Sequence, residues 1–254
     1  GMKTLGIDIG SRNTKIVIFD HDKHEIVFSA WQATQISATG AVDELLQKAQ
    51  KAGAAEDIAV SCVTGYGRKM YTQADIIKSE ISCHAAACYF LFPMARTVID
   101  IGGQDSKIIT LNADGSVKDF VMNDKCAAGT GRFLEMTAMR LECDLDELSR
   151  LASESDLEIP LSSTCVVFAE TEIIGLLATG NTVANIARAV NMSIARRIYT
   201  QMAPLICEPP IVFTGGVAQG ADLAFCIGRM LATDLLIPPD PEITGALGAA
   251  LLAK

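Results

Sequence analysis

Short aliphatic runs alternate with longer mixed stretches along the whole chain. Residues 58–62, 97–101, 211–213 and 235–237 are compact apolar runs of the kind a buried strand needs. Between and beyond them, 41–51, 80–92, 131–141, 144–153, 166–178, 182–206 and 244–253 read as helices. Strands alternating with helices in this way predict an α/β protein with sheets covered by helices.

The pattern also duplicates itself. Asp8-Ile-Gly-Ser-Arg-Asn-Thr-Lys15 returns as Asp100-Ile-Gly-Gly-Gln-Asp-Ser-Lys107, 92 positions on at both ends (8 to 100, 15 to 107). The match continues without a gap, with Ile16-Val-Ile-Phe19 paralleled by Ile108-Ile-Thr-Leu111 and Asp22 by Asp114. Each copy reads as a strand ending in aspartate, a glycine turn, a second strand, a polar turn and a third strand. Self-similarity over one such unit predicts two related lobes facing each other. The expected division is 2–96 and 97–254, with the last helix, 243–254, free to pack back on the first lobe.

Composition narrows the function classes. Half of the 254 residues are hydrophobic but only 6% are aromatic, so the core must be aliphatic. The net charge of −9 and the lack of any Lys/Arg-rich run argue against nucleic acid as a partner. No apolar stretch has the length of a membrane span, and the N-terminal residues lack an export signal, so a cytoplasmic protein is expected. Eight cysteines without a CxxC pair do not suggest a zinc ribbon or a one-chain ferredoxin site. Six of them read as small buried hydrophobes.

There is no Walker motif and no strand-following GxGxxG. The two Asp-x-Gly hairpins are the phosphate-binding candidates, because turn glycines let backbone N–H groups approach anions closely. Gly10, Ser11, Asn13, Thr14 and Lys15 are the expected contacts in the first hairpin, and Gly102, Gly103, Gln104 and Asp105 in the second. Asp8 and Asp100 stand at strand ends, suited to hold Mg²⁺ through water; with Gln104 they are the candidate catalytic residues. Gly129, Thr130 and Gly131 are further candidate contacts. Thr214-Gly215-Gly216-Val217-Ala218 offers a glycine-rich turn between a strand and a helix, a bed for the nucleoside. This order of hairpins, with the glycine-rich last helix, resembles the superfamily of acetate kinase, sugar kinases, heat-shock chaperones and actin. The resemblance implies an actin-like fold of two ribonuclease H-like lobes with Mg²⁺ and ATP or ADP in the cleft between them.

Cys126 and Cys165 stand apart from the other cysteines. Each precedes a predicted helix start, where unpaired N–H groups and the helix dipole favour a thiolate. Either could be an ordinary buried cysteine, but two such sites together favour ligation. Two ligands are too few for a cubane held by four cysteines, and a twofold homodimer would complete the set. GYGR at 65–68, DIGGQDSK at 100–107, NDKCAAGTGRFLE at 123–135 and STCVVFAETE at 163–172 resemble the activator component of 2-hydroxyacyl-CoA dehydratases, a family that includes the ATPase subunits of benzoyl-CoA reductase. That resemblance implies a homodimer with one [4Fe–4S] cluster held by Cys126 and Cys165 of both subunits. It also implies ATP-driven delivery of one electron to a dehydratase or acyl-CoA reductase component, with a ferredoxin or flavodoxin as donor. A small-molecule kinase of the same fold and a nucleotide switch with redox-sensing cysteines are the competing readings. Arg68, Glu80 and His84 are left without a role.

Overall fold

The structure is a computed structural model, and it describes residues 2–163 and 165–254. Along the chain come β1 (Lys3–Ile9), β2 (Asn13–Asp20), β3 (Glu25–Ala33), α1 (Ala38–Lys51), β4 (Ile58–Thr64), β5 (Ile76–Ile77) and α2 (Glu80–Leu91). Then follow β6 (Thr97–Ile101), β7 (Ser106–Leu111), β8 (Val117–Asn123), α3 (Gly131–Arg140), α4 (Leu145–Ser153), α5 (Val166–Ala178) and α6 (Val183–Met202). The chain closes with β9 (Ile211–Thr214), α7 (Ala221–Leu231), β10 (Leu235–Leu236) and α8 (Thr244–Leu252). It forms two compact units. One joins Gly1–Val98, Leu111–Lys118 and Pro238–Lys254, and the other joins Ile99–Thr110 and Asp119–Ile237.

Two five-stranded sheets run in the orders β3-β2-β1-β4-β5 and β10-β9-β6-β7-β8. The orders are equivalent. In each, three consecutive strands are flanked by one later strand, and a short strand then closes the sheet.

The first sheet is covered on both faces, which explains why β1 and β2 carry continuous apolar runs rather than alternation. Ile16 and Ile18 of β2 pack with Val42, Leu45 and Ala49 of α1. Their neighbours Val17 and Phe19 turn to the opposite face and meet Ala87 of α2 and Ala246, Leu247 and Ala250 of α8. In the second unit Ile99, Ile101, Ile108 and Phe213 pack with Phe133 of α3 and with Ile186, Val190, Ile194 and Ile198 of α6.

Two boundaries differ from the sequence expectation for identifiable reasons. The helix expected over 182–206 stops at Met202, because Pro204 has no N–H to continue it. The Gly215-Gly216 turn does not lead directly into a helix. A 3₁₀ turn over Gly216–Gln219 intervenes, and α7 begins at Ala221.

Candidate functional site

In the first hairpin β1 and β2 pair antiparallel with Asp8 opposite Lys15. The Gly10 N–H donates to the Asn13 carbonyl at 2.9 Å and closes the turn. Lys15 Nζ lies 3.6 Å from Asp8 Oδ2 and 3.9 Å from Glu242 Oε1. Asn13 Nδ2 also donates to Glu242 Oε1, at 3.1 Å. Asp8, Asn13, Lys15 and Glu242 therefore form one polar group. Ser11 is exposed at the turn. Thr14 alternates to the other face of β2, where it is buried with its hydroxyl 2.9 Å from that of Thr34.

The second hairpin repeats the turn: Gly102 N–H donates to the Asp105 carbonyl at 2.9 Å. Lys107 Nζ lies 3.4 Å from Asp100 Oδ2 and 2.7 Å from Asp105 Oδ2, with the lysine side chain only 1% exposed. A buried ammonium is costly unless paired, and here two carboxylates compensate it. Gln104 is exposed at the tip, while Ser106 is buried and donates its hydroxyl to Gln201 Oε1 at 2.9 Å.

The duplication reaches further than the hairpins. β4 ends in Thr64-Gly65 and β9 in Thr214-Gly215, and the two glycines have φ of 98° and 99°. A side chain at Gly65 would collide with Asp8 Oδ1, and one at Gly215 would stand 3.1 Å from Asp100 Oδ1. A left-handed glycine thus presses its backbone against each hairpin aspartate, a conformation that favours glycine over residues with a Cβ. The sequence carried this signal as a repeated Thr-Gly dipeptide after an apolar run. Arg68, given no role from the sequence, donates from Nη1 to the Gly65 carbonyl at 2.9 Å and braces that turn. His84 Nδ1 lies 3.0 Å from Thr244 Oγ1 in the buried interior beside Gly245, which itself packs against Asp8.

The other candidate contacts of the second unit gather around its hairpin. Gly131 N–H donates to the Gly102 carbonyl and Arg132 N–H to the Gly103 carbonyl, both at 2.9 Å. Thr130 is buried, and its hydroxyl is turned back onto the Ala127 carbonyl at 2.7 Å. Val217 packs against Gly131, Ala218 is buried and Gly216 is exposed.

The cysteines divide as their surroundings dictate. Burial pushes the Cys62 thiol up to about 11 and those of Cys83 and Cys226 up to about 12, which makes them inert at neutral pH. Cys88 is buried as well. Burial also raises the half-buried Cys143 and Cys207. Cys165 is exposed at the N-cap of α5, and half-buried Cys126 precedes the 3₁₀ turn Ala127–Gly129. Arg197 Nη2 donates to Cys126 Sγ at 2.7 Å. Among the described residues no group of three or more His, Cys, Asp or Glu side chains converges to hold a metal. Around Cys165, α5 leaves Val167 and Phe168 70% and 69% exposed, an apolar surface beside the thiol.

No helix among the described residues is long and apolar enough to cross a membrane. The sequence profile of the BadF/BadG/BcrA/BcrD ATPase family matches residues 5–253. An activator of lactoyl-CoA dehydratase from Anaerotignum propionicum is 46% identical over 253 residues, covering 99% of this chain and 97% of the relative. The solved activator of the 2-hydroxyisocaproyl-CoA dehydratase from Clostridium difficile, with bound ADPNP, superposes with a TM-score of 0.93 at 42% identity. That match covers 99% of this chain and 94% of the other. Component A of the (R)-2-hydroxyglutaryl-CoA dehydratase from Acidaminococcus fermentans gives a TM-score of 0.95 at 39% identity, covering 100% and 98%. The expected actin-like ATPase fold is the fold of this chain.

Proposed function

The chain belongs to the BadF/BadG/BcrA/BcrD ATPase family, and from that premise we propose that it is an ATP-driven electron donor that activates a 2-hydroxyacyl-CoA dehydratase or a related acyl-CoA reductase. In this reading a homodimer shares one [4Fe–4S] cluster through Cys126 and Cys165 of both subunits. The observation that carries it is the setting of Cys165, an exposed thiol at the head of a helix whose apolar side chains Val167 and Phe168 face outward. An ATPase or kinase fold has no need of such a thiol, whereas a shared ligand on a self-complementary face does.

When bound, the cluster supplies a low-potential one-electron carrier. The chain's own residues do the rest. Asp8 and Asp100, whose carboxylates pair with Lys15 and Lys107, would hold Mg²⁺ through water, and the ion would offset the phosphate charge. The turn N–H groups of both hairpins receive phosphate oxygens, and exposed Gln104 orients the attacking water. The Gly215–Ala218 turn receives the nucleoside.

Anaerobic reconstitution with iron and sulfide tests the assignment. About four iron atoms per dimer are expected, as ligation by four cysteines requires. Cys126→Ser and Cys165→Ser should each abolish the cluster, and Cys143→Ser should keep it. Retention of full iron in either of the first two variants would overturn the ligand set. Iron-free protein that still binds nucleotide would favour the switch or kinase reading.

A further inference from the structure

The second hairpin and Cys126 are joined by a helix face that the sequence did not single out. Arg197 and Gln201 stand four positions apart on α6 and so lie one above the other on the same face. Arg197 donates to Cys126 Sγ at 2.7 Å. One turn on, Gln201 accepts from the Ser106 hydroxyl at 2.9 Å and donates to the Ser106 carbonyl at 3.3 Å. Ser106 is the first residue of β7, directly after the phosphate-binding turn.

The contact to Cys126 is built rather than incidental. Gly129, three residues beyond the cysteine, lets the stem of Arg197 lie flat against the backbone, and a Cβ there would stand 3.0 Å from Arg197 Cγ. A second route closes the loop from the other side. Gly102 and Gly103 of the same turn accept from the N–H groups of Gly131 and Arg132, at the start of α3. The cysteine is therefore held by α6 through Arg197 and followed within five residues by the start of α3, which is bonded to the same turn. The α6 element belongs to the packed interior, through Ile194 and Ile198, so a displacement at Ser106 is carried along a stiff rod.

We propose that Arg197 and Gln201 are positioning residues that tie the exposure of the Cys126 sulfur to the nucleotide state of the second hairpin. This rests on the activator reading, and it adds the residues through which nucleotide and cysteine communicate. Gln201 reports the hairpin, α6 transmits, and Arg197 holds or releases the sulfur. Lysine at 197 would keep the charge but lose the planar fork that both spans the glycine and reaches the sulfur.

The test measures two rates at fixed pH in the full-length protein. One is iron release from the reconstituted dimer to a chelator. The other is alkylation of Cys126 in cluster-free protein, read by peptide mass. Both are taken without nucleotide, with Mg-ADP and with a non-hydrolysable Mg-ATP analogue, and nucleotide binding is followed by calorimetry in the same samples. In the natural protein the ATP analogue should change both rates by about fivefold or more, the lower end of ordinary site-to-site coupling. Arg197→Met should flatten the nucleotide response of both rates, and Arg197→Lys should restore part of it. Gln201→Leu should leave the nucleotide-free rates in place while the response falls below about twofold. Normal melting of each variant separates these effects from misfolding. Nucleotide that binds without altering either rate, or a full response in both Arg197→Met and Gln201→Leu, would overturn the proposal. Absence of nucleotide binding would instead sink the activator reading, and the proposal with it.

Discussion

Lys107 Nζ sits 3.4 Å from Asp100 Oδ2, and one copy of the hairpin earlier Lys15 Nζ sits 3.6 Å from Asp8 Oδ2. The duplication has kept the ion pair but not its surroundings. The Lys107 side chain is 1% exposed and that of Lys15 14%. Lys107 also closes on the partly exposed Asp105, so its loss would remove the cation that pairs with the buried Asp100 carboxylate and with Asp105. Lys107→Met is expected to cost about 3 kcal/mol or more of unfolding free energy, the usual result of removing one partner from a buried charge group. Lys15→Met should cost less, because its site reaches solvent. Urea denaturation of the two variants checks the order, and equal losses would contradict it.

The Thr-Gly turns lead to a second expectation. Gly65→Ala and Gly215→Ala would each put a Cβ into a left-handed position and against a hairpin aspartate. Strain of this kind costs on the order of 1–3 kcal/mol. Some of it would be relieved by displacing Asp8 or Asp100, so nucleotide affinity should fall by about tenfold or more. Gly53→Ala is the control, since Gly53 also has a positive φ, 72°, but has nothing around its Cβ position. It should lower stability slightly and leave nucleotide binding unchanged in calorimetry.

What could be read from the sequence followed the range of the signal. The hairpins and α5 were legible because an Asp-x-Gly turn, or a helical run bounded by Cys165 and Thr179, is a local pattern. The helix after the third glycine turn was expected but its start was not, because Gly220 and the 3₁₀ turn over Gly216–Gln219 delay α7 to Ala221. Partners distant in sequence were invisible. Arg197 lies far along the chain from Cys126, and Glu242 further still from Asn13, and no local pattern announces either contact. The Thr64-Gly65 turn was legible in principle. Its match to Thr214-Gly215 lies outside the gap-free repeat, because α1 alone separates Thr64 from its hairpin whereas four helices, α3 to α6, separate Thr214 from its own.

The segment leading to Cys165 carries a pH dependence. Partial burial works against the charged form of Glu172. Hydrogen bonds from the Ser162 side chain and from the Ser162 and Ser163 backbone outweigh it, and hold the carboxyl below its ordinary 4.5. A lowered folded value means that the anchoring is fully present above 4.5 and is lost as pH falls through the folded value. Hydrogen exchange at Ser162 and Ser163, corrected for its intrinsic pH dependence, should therefore accelerate only in that acid range. Glu172→Gln should show the faster exchange already at neutral pH. Unchanged protection in that variant would mean that the carboxylate does not hold the segment.

The last expectation concerns α5 as a shared face. Of its thirteen residues only Ala169 and Ile173 are buried, while Val167, Phe168 and Ile174 stand exposed around the helix that Cys165 caps. An apolar surface left in water is unfavourable by roughly 25 cal/mol per Å², and covering it with a second copy would bring the Cys165 end of the helix against that copy. Phe168→Glu would place a charge in the middle of that apolar face without touching either Asp-x-Gly hairpin. The variant should sediment as a monomer, take up little iron on reconstitution and bind Mg-ADP with unchanged affinity. Val167→Glu, one residue nearer Cys165, should do the same. On the proposed reading this separates two functions, with nucleotide binding assigned to the hairpins and cluster assembly to a pair of subunits. A dimer with full iron in both variants would show that the cysteines are joined through some other surface, and α5 would lose its place in the interface.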